Sequence, residues 1–315
     1  MPPSADPLAR AAGAWRVGIV VDRNDWHSRE LAKALRALGV SPVAMRLEAS
    51  AFATRSPTGL SLEGFGEELP DAVLVRTIAG GSFESVTMRL GILHALRELG
   101  VMVWNDARAI ERCVDKSMTS FLLARAGIAT PDTWAVQDVA AARAIVAREA
   151  AHGPLVLKPL FGSQGRGLRL IKTPDALSPP GEIAGGVYYL QRFVGVERDG
   201  FHDFRLLVSG GRVVAAMMRH SADWITNIKR GGRPVTVVAN DDTKALAVRA
   251  TAAVGADFAG VDILYDHDQR PSVLEVNSMP AWSGLQKVTS GGIAGLLAAD
   301  LVVALDGRAR REATA

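Results

Sequence analysis

Three groups of side chains, met in order along the chain, have types and spacings that could do chemistry. The first is Lys158 at the end of an apolar run, followed by Pro159-Leu-Phe-Gly162-Ser163-Gln164-Gly165-Arg166-Gly167. A lysine carried by a strand can project a positive charge at phosphates. The glycines after it let backbone N–H groups approach anionic oxygens and let the loop move as a lid. The order differs from the phosphate loop in which the lysine follows the last glycine and opens a helix. A flexible hairpin loop with a surface lysine would have the same sequence. The second group is Asp262 in Gly-Val-Asp-Ile-Leu, then Glu275 and Asn277 in Val-Leu-Glu-Val-Asn. Residues 275 and 277 share one face of a strand because side chains alternate with period two. A hairpin turning near 266–271 can bring Asp262 beside them. Two carboxylates and an amide oxygen are hard ligands of the kind magnesium prefers when it bridges nucleotide phosphates. The alternative is three polar groups on the solvent side of a hairpin. The third group is Arg205, Arg219, Asn227 and Arg230, with Gly231 and Gly232 following. Each arginine alone is commonly a surface charge. Together they could neutralise a transferred phosphoryl group, since guanidinium offers planar paired donors to oxyanions.

Alternating strands and helices must position these groups. Apolar runs at 16–21, 42–47, 73–76 and 101–104 have strand character, and helical periodicity covers 28–38 and 88–99. Gly39 and Gly100 close the helices, and 50–70 has loop composition. Strands alternating with helices imply a parallel, doubly wound sheet. Beyond it, helices are expected at 115–126 and 138–150, and a strand at 154–158 with a hairpin partner at 168–171. The last part opens at 188–194 and has strands at 204–208, 212–218, 260–264 and 272–276, and helices at 242–254 and 292–305. The expected division is a disordered 1–14, an α/β domain over 15–105, subdomains over 106–190 and 191–305, and a disordered tail over 306–315.

Composition narrows the class. The 315 residues, 48% hydrophobic and 22% charged, suit a globular chain with more than one core. Its 36 basic and 33 acidic side chains are well mixed, which argues against nucleic acid as a direct partner. No uninterrupted apolar run approaches the ~20 residues of a membrane span, and the first 14 residues lack the apolar stretch of a secretory signal. The single cysteine, Cys113, excludes an intramolecular disulfide and suits a reducing cytoplasm. Lys116 nearby could activate that thiol; a small buried side chain is the other reading. The six histidines show no metal-ligand spacing.

The series formed by Asp115-Lys116, the glycine loop 162–167, Gln191-Arg-Phe-Val194, Asp203-Phe-Arg205, Asn227 with Arg230-Gly-Gly232, Gly260-Val-Asp262 and Glu275-Val-Asn277-Ser-Met-Pro280 resembles the ATP-grasp superfamily, within it the RimK-like amino-acid ligases. The resemblance spans about residues 16–305. It implies an ATP-grasp fold behind the N-terminal parallel-sheet domain, and an ATP- and magnesium-dependent ligase joining a carboxylate to an amine through an acyl phosphate. Lys116 and Lys158 would hold the α- and β-phosphates, and Gly162, Ser163, Gln164, Gly165 and Gly167 would lie in the mobile loop over them. Gln191, Arg192, Phe193 and Val194 would form the adenine hinge, and Asp203 would contact the ribose. Asp262, Glu275 and Asn277 would bind one or two magnesium ions, with manganese as an alternative. Arg205, Arg219, Asn227 and Arg230 would stabilise the transferred phosphoryl group.

Two departures from the family pattern stand out. Arg192 occupies a hinge position where such ligases often carry Glu, and the stretch after the hinge is about two residues longer than expected, so Glu197 competes with Asp203 for the ribose. Arg76, at a strand end where ligands of parallel sheets bind, and Trp282 are candidates for the acceptor site. The resemblance further implies glutamate addition to a carboxylated cofactor, such as a tetrahydromethanopterin-like pterin, or to a peptide. A carrier protein or ribosomal protein tail is the alternative acceptor, and an ATP-binding regulator without turnover the alternative of another class. A cytoplasmic dimer or tetramer is expected on the same ground.

Overall fold

In the computed structural model, which describes residues 15–162, 164–197 and 199–314, the apolar segments pair as a parallel sheet and two antiparallel ones. The expected disorder of 1–14 falls outside the described residues.

The first compact unit comprises the described residues up to 107 and from 292 on. Its sheet has the order β2-β1-β5-β6, built from β1 (Arg16–Val20), β2 (Ser41–Met45), β5 (Ala72–Val75) and β6 (Met102–Trp104), all parallel. Buried on both faces, β1 and β5 read as unbroken apolar runs rather than alternating ones. Helix α1 (Trp26–Ala37) starts at a reciprocal cap in which Asp25 accepts from the Ser28 amide and the Ser28 hydroxyl accepts from the Asp25 amide. Leu31 and Leu35 are buried, whereas Leu38, the last residue of the expected helix, ends it in solvent. The segment 50–70, expected as loop, contains a two-strand ladder of β3 (Ala51–Phe52) and β4 (Leu60–Ser61). Helix α2 (Phe83–Glu98) begins five residues before the expected 88, because Ser82 caps it by accepting from the Ser85 amide.

The second unit, residues 108–291, carries two antiparallel sheets. Helices α3 (Ala107–Val114) and α4 (Lys116–Arg125) precede β7 (Thr133–Val136). Helix α5 (Val139–Glu149) then covers a sheet of order β7-β10-β8-β9, formed with β8 (Leu155–Lys158), β9 (Arg169–Ile171) and β10 (Tyr188–Arg192). The hairpin expected of 154–158 and 168–171 is present. The other sheet has the order β13-β12-β11-β14-β15. Its strands are β11 (Phe201–Ser209), β12 (Arg212–Ser221), β13 (Arg233–Thr236), β14 (Phe258–Tyr265) and β15 (Pro271–Asn277). Gly210 and Gly211, at φ 55° and 75°, supply the left-handed pair that a two-residue hairpin between β11 and β12 needs. Helix α6 (Asp241–Val254) packs on this sheet, and α7 (Ser283–Gln286) follows it.

Two expectations are corrected. The subdomain boundary at 190/191 would cut β10, whose backbone pairs with both β7 and β8. Cys113, Leu123 and Ile128 share a core with Leu206, Val261 and Val276 of the five-stranded sheet. The tail 306–315 is helical to Ala313, as part of α8 (Ile293–Ala313), which packs on α1 in the first unit rather than closing the second. Trp15 Nε1 donates to Asp306 at 3.0 Å and Arg308 pairs with Glu312 one turn on, so the polar sequence continues the helix. No helix among the described residues is long and apolar enough to cross a membrane.

Leu301 of α8 is fully buried. Leu301→Ala should cost about 2–5 kcal/mol in denaturant unfolding, the range for an emptied leucine site; an effect within the noise would detach α8 from this core.

Candidate active site

Alternation within the five-stranded sheet places a row of charges on one face. Asp203 and Arg205 lie two apart on β11, Arg219 is opposite Asp203 on β12, Asp262 is opposite Arg205 on β14, and Glu275 is opposite Asp262 on β15. Arg219 grips Asp203 with both ends of its guanidinium, Nε to Oδ1 at 2.7 Å, and reaches Asp262 Oδ2 at 3.0 Å. Arg205 holds Asp262 with two further bonds of 2.7 Å. Burial pulls the Arg219 guanidinium down and Asp203 and Asp262 pull it up; the carboxylates prevail and it stays well above its ordinary value. Burial opposes ionisation of Asp262, but Arg205 and then Arg219 outweigh it and hold this carboxyl below the usual range. Asp203, Asp262 and Arg219 are buried and Arg205 is partly buried, a neutral set with each charge compensated.

Facing this row are two lysines and a glycine loop. Lys158, the last residue of β8, is buried, and its Nζ donates to Gln191 Oε1 at 2.5 Å. Burial lowers its pKa to about 8, against the opposing pull of Glu275. Lys116 opens α4 behind its cap Asp115, donates to Gly162 O at 2.9 Å and lies 3.6 Å from Glu275 Oε1. Gly165 has φ 68°, and a Cβ there would come within 2.6 Å of Asn227 Oδ1 and 2.7 Å of Ile225 Cγ2. Only glycine lets the loop close on that segment. Ser163 lies outside the described residues.

One cavity is lined by both groups. Lys116, Lys158, Gly162, Gln164 and Gly165 line it together with residues 191–194, Asp203, Arg219, Asn227, Asp262 and Glu275. Phe193 packs edge-on against Trp224 at 5.8 Å. Val156, Leu264 and Leu274 form apolar wall, which sequence reasoning missed because an apolar side chain has no chemical signature until a cavity opens beside it. The Asn277 amide nitrogen faces Gly260 O at 3.4 Å, leaving its oxygen end to accept. Asp262, Glu275 and Asn277 are too few for a closed metal cage, and among the described residues no three His, Cys, Asp or Glu side chains cluster for one. They fit a magnesium ion whose remaining ligands are phosphate oxygens and water.

Residues 113–301 match the model of the RimK-like ATP-grasp domain. The tetrahydromethanopterin:alpha-L-glutamate ligase of Methanosarcina acetivorans is 32% identical over 308 residues, covering 86% of this chain and 93% of the relative. The chain belongs to the RimK-like ATP-grasp family. A probable alpha-L-glutamate ligase of Teredinibacter turnerae is 34% identical over 239 residues, covering 74% of this chain and 77% of its own length. The fold is that of the ATP-grasp ligase PsnB, whose structure with minimal precursor, Mg and ADP superimposes with a TM-score of 0.69 at 22% identity over 92% of this chain and 98% of that one. As a family member the protein is an ATP- and magnesium-dependent ligase that joins a carboxylate to an amine and releases ADP.

Several expected residues stand elsewhere in this RimK-like chain. Asp203, expected on the ribose, lines the cavity with both its oxygens accepting from Arg219; Glu197 is exposed. The Arg192 side chain turns out of the hinge, pairing with Glu149 at 2.5 Å and stacking over Trp134 at 5.7 Å. Arg205 touches Asp262 and Gly167 turns at φ 72° beside Pro159, though neither lines the cavity. Arg230 is exposed in a short turn outside the lining. Trp282, expected at the acceptor site, is only 1% exposed and is core, as its apolar bulk dictates. Arg76, in the first unit, is no surface charge: it is buried, and burial brings it down to about 10 against the pull of Asp25 and Asp22.

Arg219→Met would strand Asp203 and Asp262 without their shared partner. A loss of about 3–5 kcal/mol is expected on unfolding, against a change within about 0.5 kcal/mol for exposed Arg230→Ala. Equal small effects would show that the buried row carries no stability.

Proposed function

We propose that this ligase adds L-glutamate to a carboxylated acceptor, a pterin-type cofactor or a peptide, by way of an acyl phosphate. Support for the glutamate and the pterin comes from the relatives named for those substrates. A carboxylate alone is a poor electrophile because its leaving group would be oxide. Transfer of the γ-phosphoryl group makes phosphate the leaving group, and the amine then attacks the acyl carbon through a tetrahedral intermediate. The transfer needs positioning and charge neutralisation more than covalent catalysis.

The observation that carries the reading is the convergence of Lys116, Lys158, the glycine loop, Asp203, Arg219, Asp262 and Glu275 on one cavity. In it, the two lysines hold the α- and β-phosphates under the loop 162–167. The backbone of Gln191, Phe193 and Val194 meets the adenine, with the Phe193 ring beside the base. Asp262, Glu275 and Asn277 hold one or two magnesium ions, for which manganese can substitute, and the bound metal neutralises phosphate charge. Arg205, Arg219 and Asn227 face the transferred group. Arg230, exposed here, takes part only if its turn moves inward. In the first unit, Arg76 with Asp25 and His27 stands at the carboxyl ends of the strands, a place suited to an acidic acceptor. A cytoplasmic homo-oligomer, dimer or tetramer, completes the proposal.

The first test is ADP release with ATP, Mg²⁺ and glutamate across pterins, acidic peptides, and carrier or ribosomal protein tails. ADP formed only with one acceptor names the substrate. Release stimulated equally by other amino acids in place of glutamate would overturn the donor assignment. Lys158→Ala and Glu275→Gln should each remove amide formation while the protein stays folded; full turnover in either refutes the site. The charged Lys158 is lost as pH rises through about 8, so the Kd for MgADP should climb between pH 7 and 9. The Lys158→Met protein should lack that climb in Kd; a rise of the same size in it would assign the pH effect elsewhere.

A further inference from the structure

Gln191 belongs to the hinge, yet its side chain points away from a purely structural use. On β10 the residues alternate: Tyr188 and Leu190 enter the apolar core beneath α5, and Tyr189 and Gln191 face the other way. Gln191 is 1% exposed, and its amide oxygen accepts from the Lys158 ammonium at 2.5 Å. Its amide nitrogen donates to Thr133 Oγ1 at 3.2 Å and to Tyr189 OH at 3.3 Å. The Tyr189 hydroxyl in turn shares a hydrogen bond of 2.9 Å with Ser120 Oγ. An ammonium can only donate, so the oxygen end of the amide must face Lys158 and the nitrogen end must face the two hydroxyls, each of which can accept. Side chains from α4, β7, β8 and β10 therefore determine where one lysine nitrogen sits.

We propose that Gln191 is a positioning residue that acts through Lys158, with Thr133, Tyr189 and Ser120 holding its amide in the one orientation that aims the ammonium at the nucleotide phosphates. This rests on the reading of Lys158 as a phosphate ligand. A lysine on a four-carbon stem loses much rotamer freedom when ordered. A buried acceptor takes up that cost before the nucleotide arrives, so the phosphate meets a charge already in place. The hinge thereby serves two parts of the nucleotide, its backbone the base and this side chain the phosphates.

The test compares MgADP with adenosine by calorimetry on the full chain, for wild type, Gln191→Met, Lys158→Met and the double variant. Gln191→Met should weaken MgADP by about tenfold or more, as for one hydrogen bond to a charged group, and leave adenosine unchanged. In the Lys158→Met background it should add nothing. Loss of adenosine affinity equal to that of MgADP would make Gln191 a base contact and overturn the proposal, as would full additivity with Lys158→Met. Should Lys158→Met bind MgADP like wild type, the phosphate-ligand reading itself fails and this inference with it. Tyr189→Phe removes only one hydroxyl behind the amide and guards against misfolding of Gln191→Met. It should produce a smaller loss of the same kind, for MgADP alone; no loss, with the fold intact, counts against the network.

Discussion

Two aspartates and an arginine buried together, with a second arginine partly buried beside them, set the terms for the second unit. Removing such charges from water is costly, and the cost is offset only if each group keeps its partner in good geometry. Asp203 with Arg219, and Asp262 with Arg205, meet that condition through paired bonds between neighbouring strands. The row therefore constrains the register of β12, β11 and β14. A slip of one residue would turn these charges into the apolar core and the core leucines toward the cavity. Phe204, Leu206 and Val208, which alternate with the charged positions, pack beneath the same sheet against α6 and hold the register from the other side.

Around this neutral set the balance of the cavity is cationic. Lys116 and Lys158 stand against Glu275, and Arg166 lines the same space. A concave site with cations in excess and apolar walls favours an anion that also has a flat apolar part, as a nucleotide has. The lowered pKa of Lys158 expresses the same imbalance: burial disfavours its charge until an anion arrives to compensate it. Carboxylates that accept guanidinium and ammonium in this state are those suited to a divalent ion when phosphates enter. At the proposed metal site, arginine and metal would draw on the same oxygens.

The glycine loop and the hinge differ in kind. Gly165 is required by close approach to Asn227 and Ile225, so the loop's freedom is bounded by a specific contact. The hinge strand is tied on both edges by β7 and β8, and Arg192 anchors its outer end to Glu149. A firm hinge beside a loop of left-handed turns is the arrangement expected where a bound molecule is gripped by one and covered by the other.

The order of motifs from Lys116 to Asn277 carries the resemblance to the family, and that resemblance, together with strand alternation, pointed to most of the residues that line the cavity. Period two put Glu275 beside Asn277, and a short hairpin put Asp262 opposite them. Alternating apolar segments likewise indicated the parallel sheet. Tertiary structure decided what sequence order cannot carry. Asp203 and Arg219 are sixteen positions apart, and only strand pairing reveals that they neutralise each other. Gln191 and Lys158 meet through two strands of one sheet. Residues before β7 joined a core far downstream, and a polar tail continued as helix because a partner helix lay alongside. Trp282 and Arg76 show the same division: residue type announces a capacity for contact, while burial determines which contact is made, since that depends on every segment that packs around it.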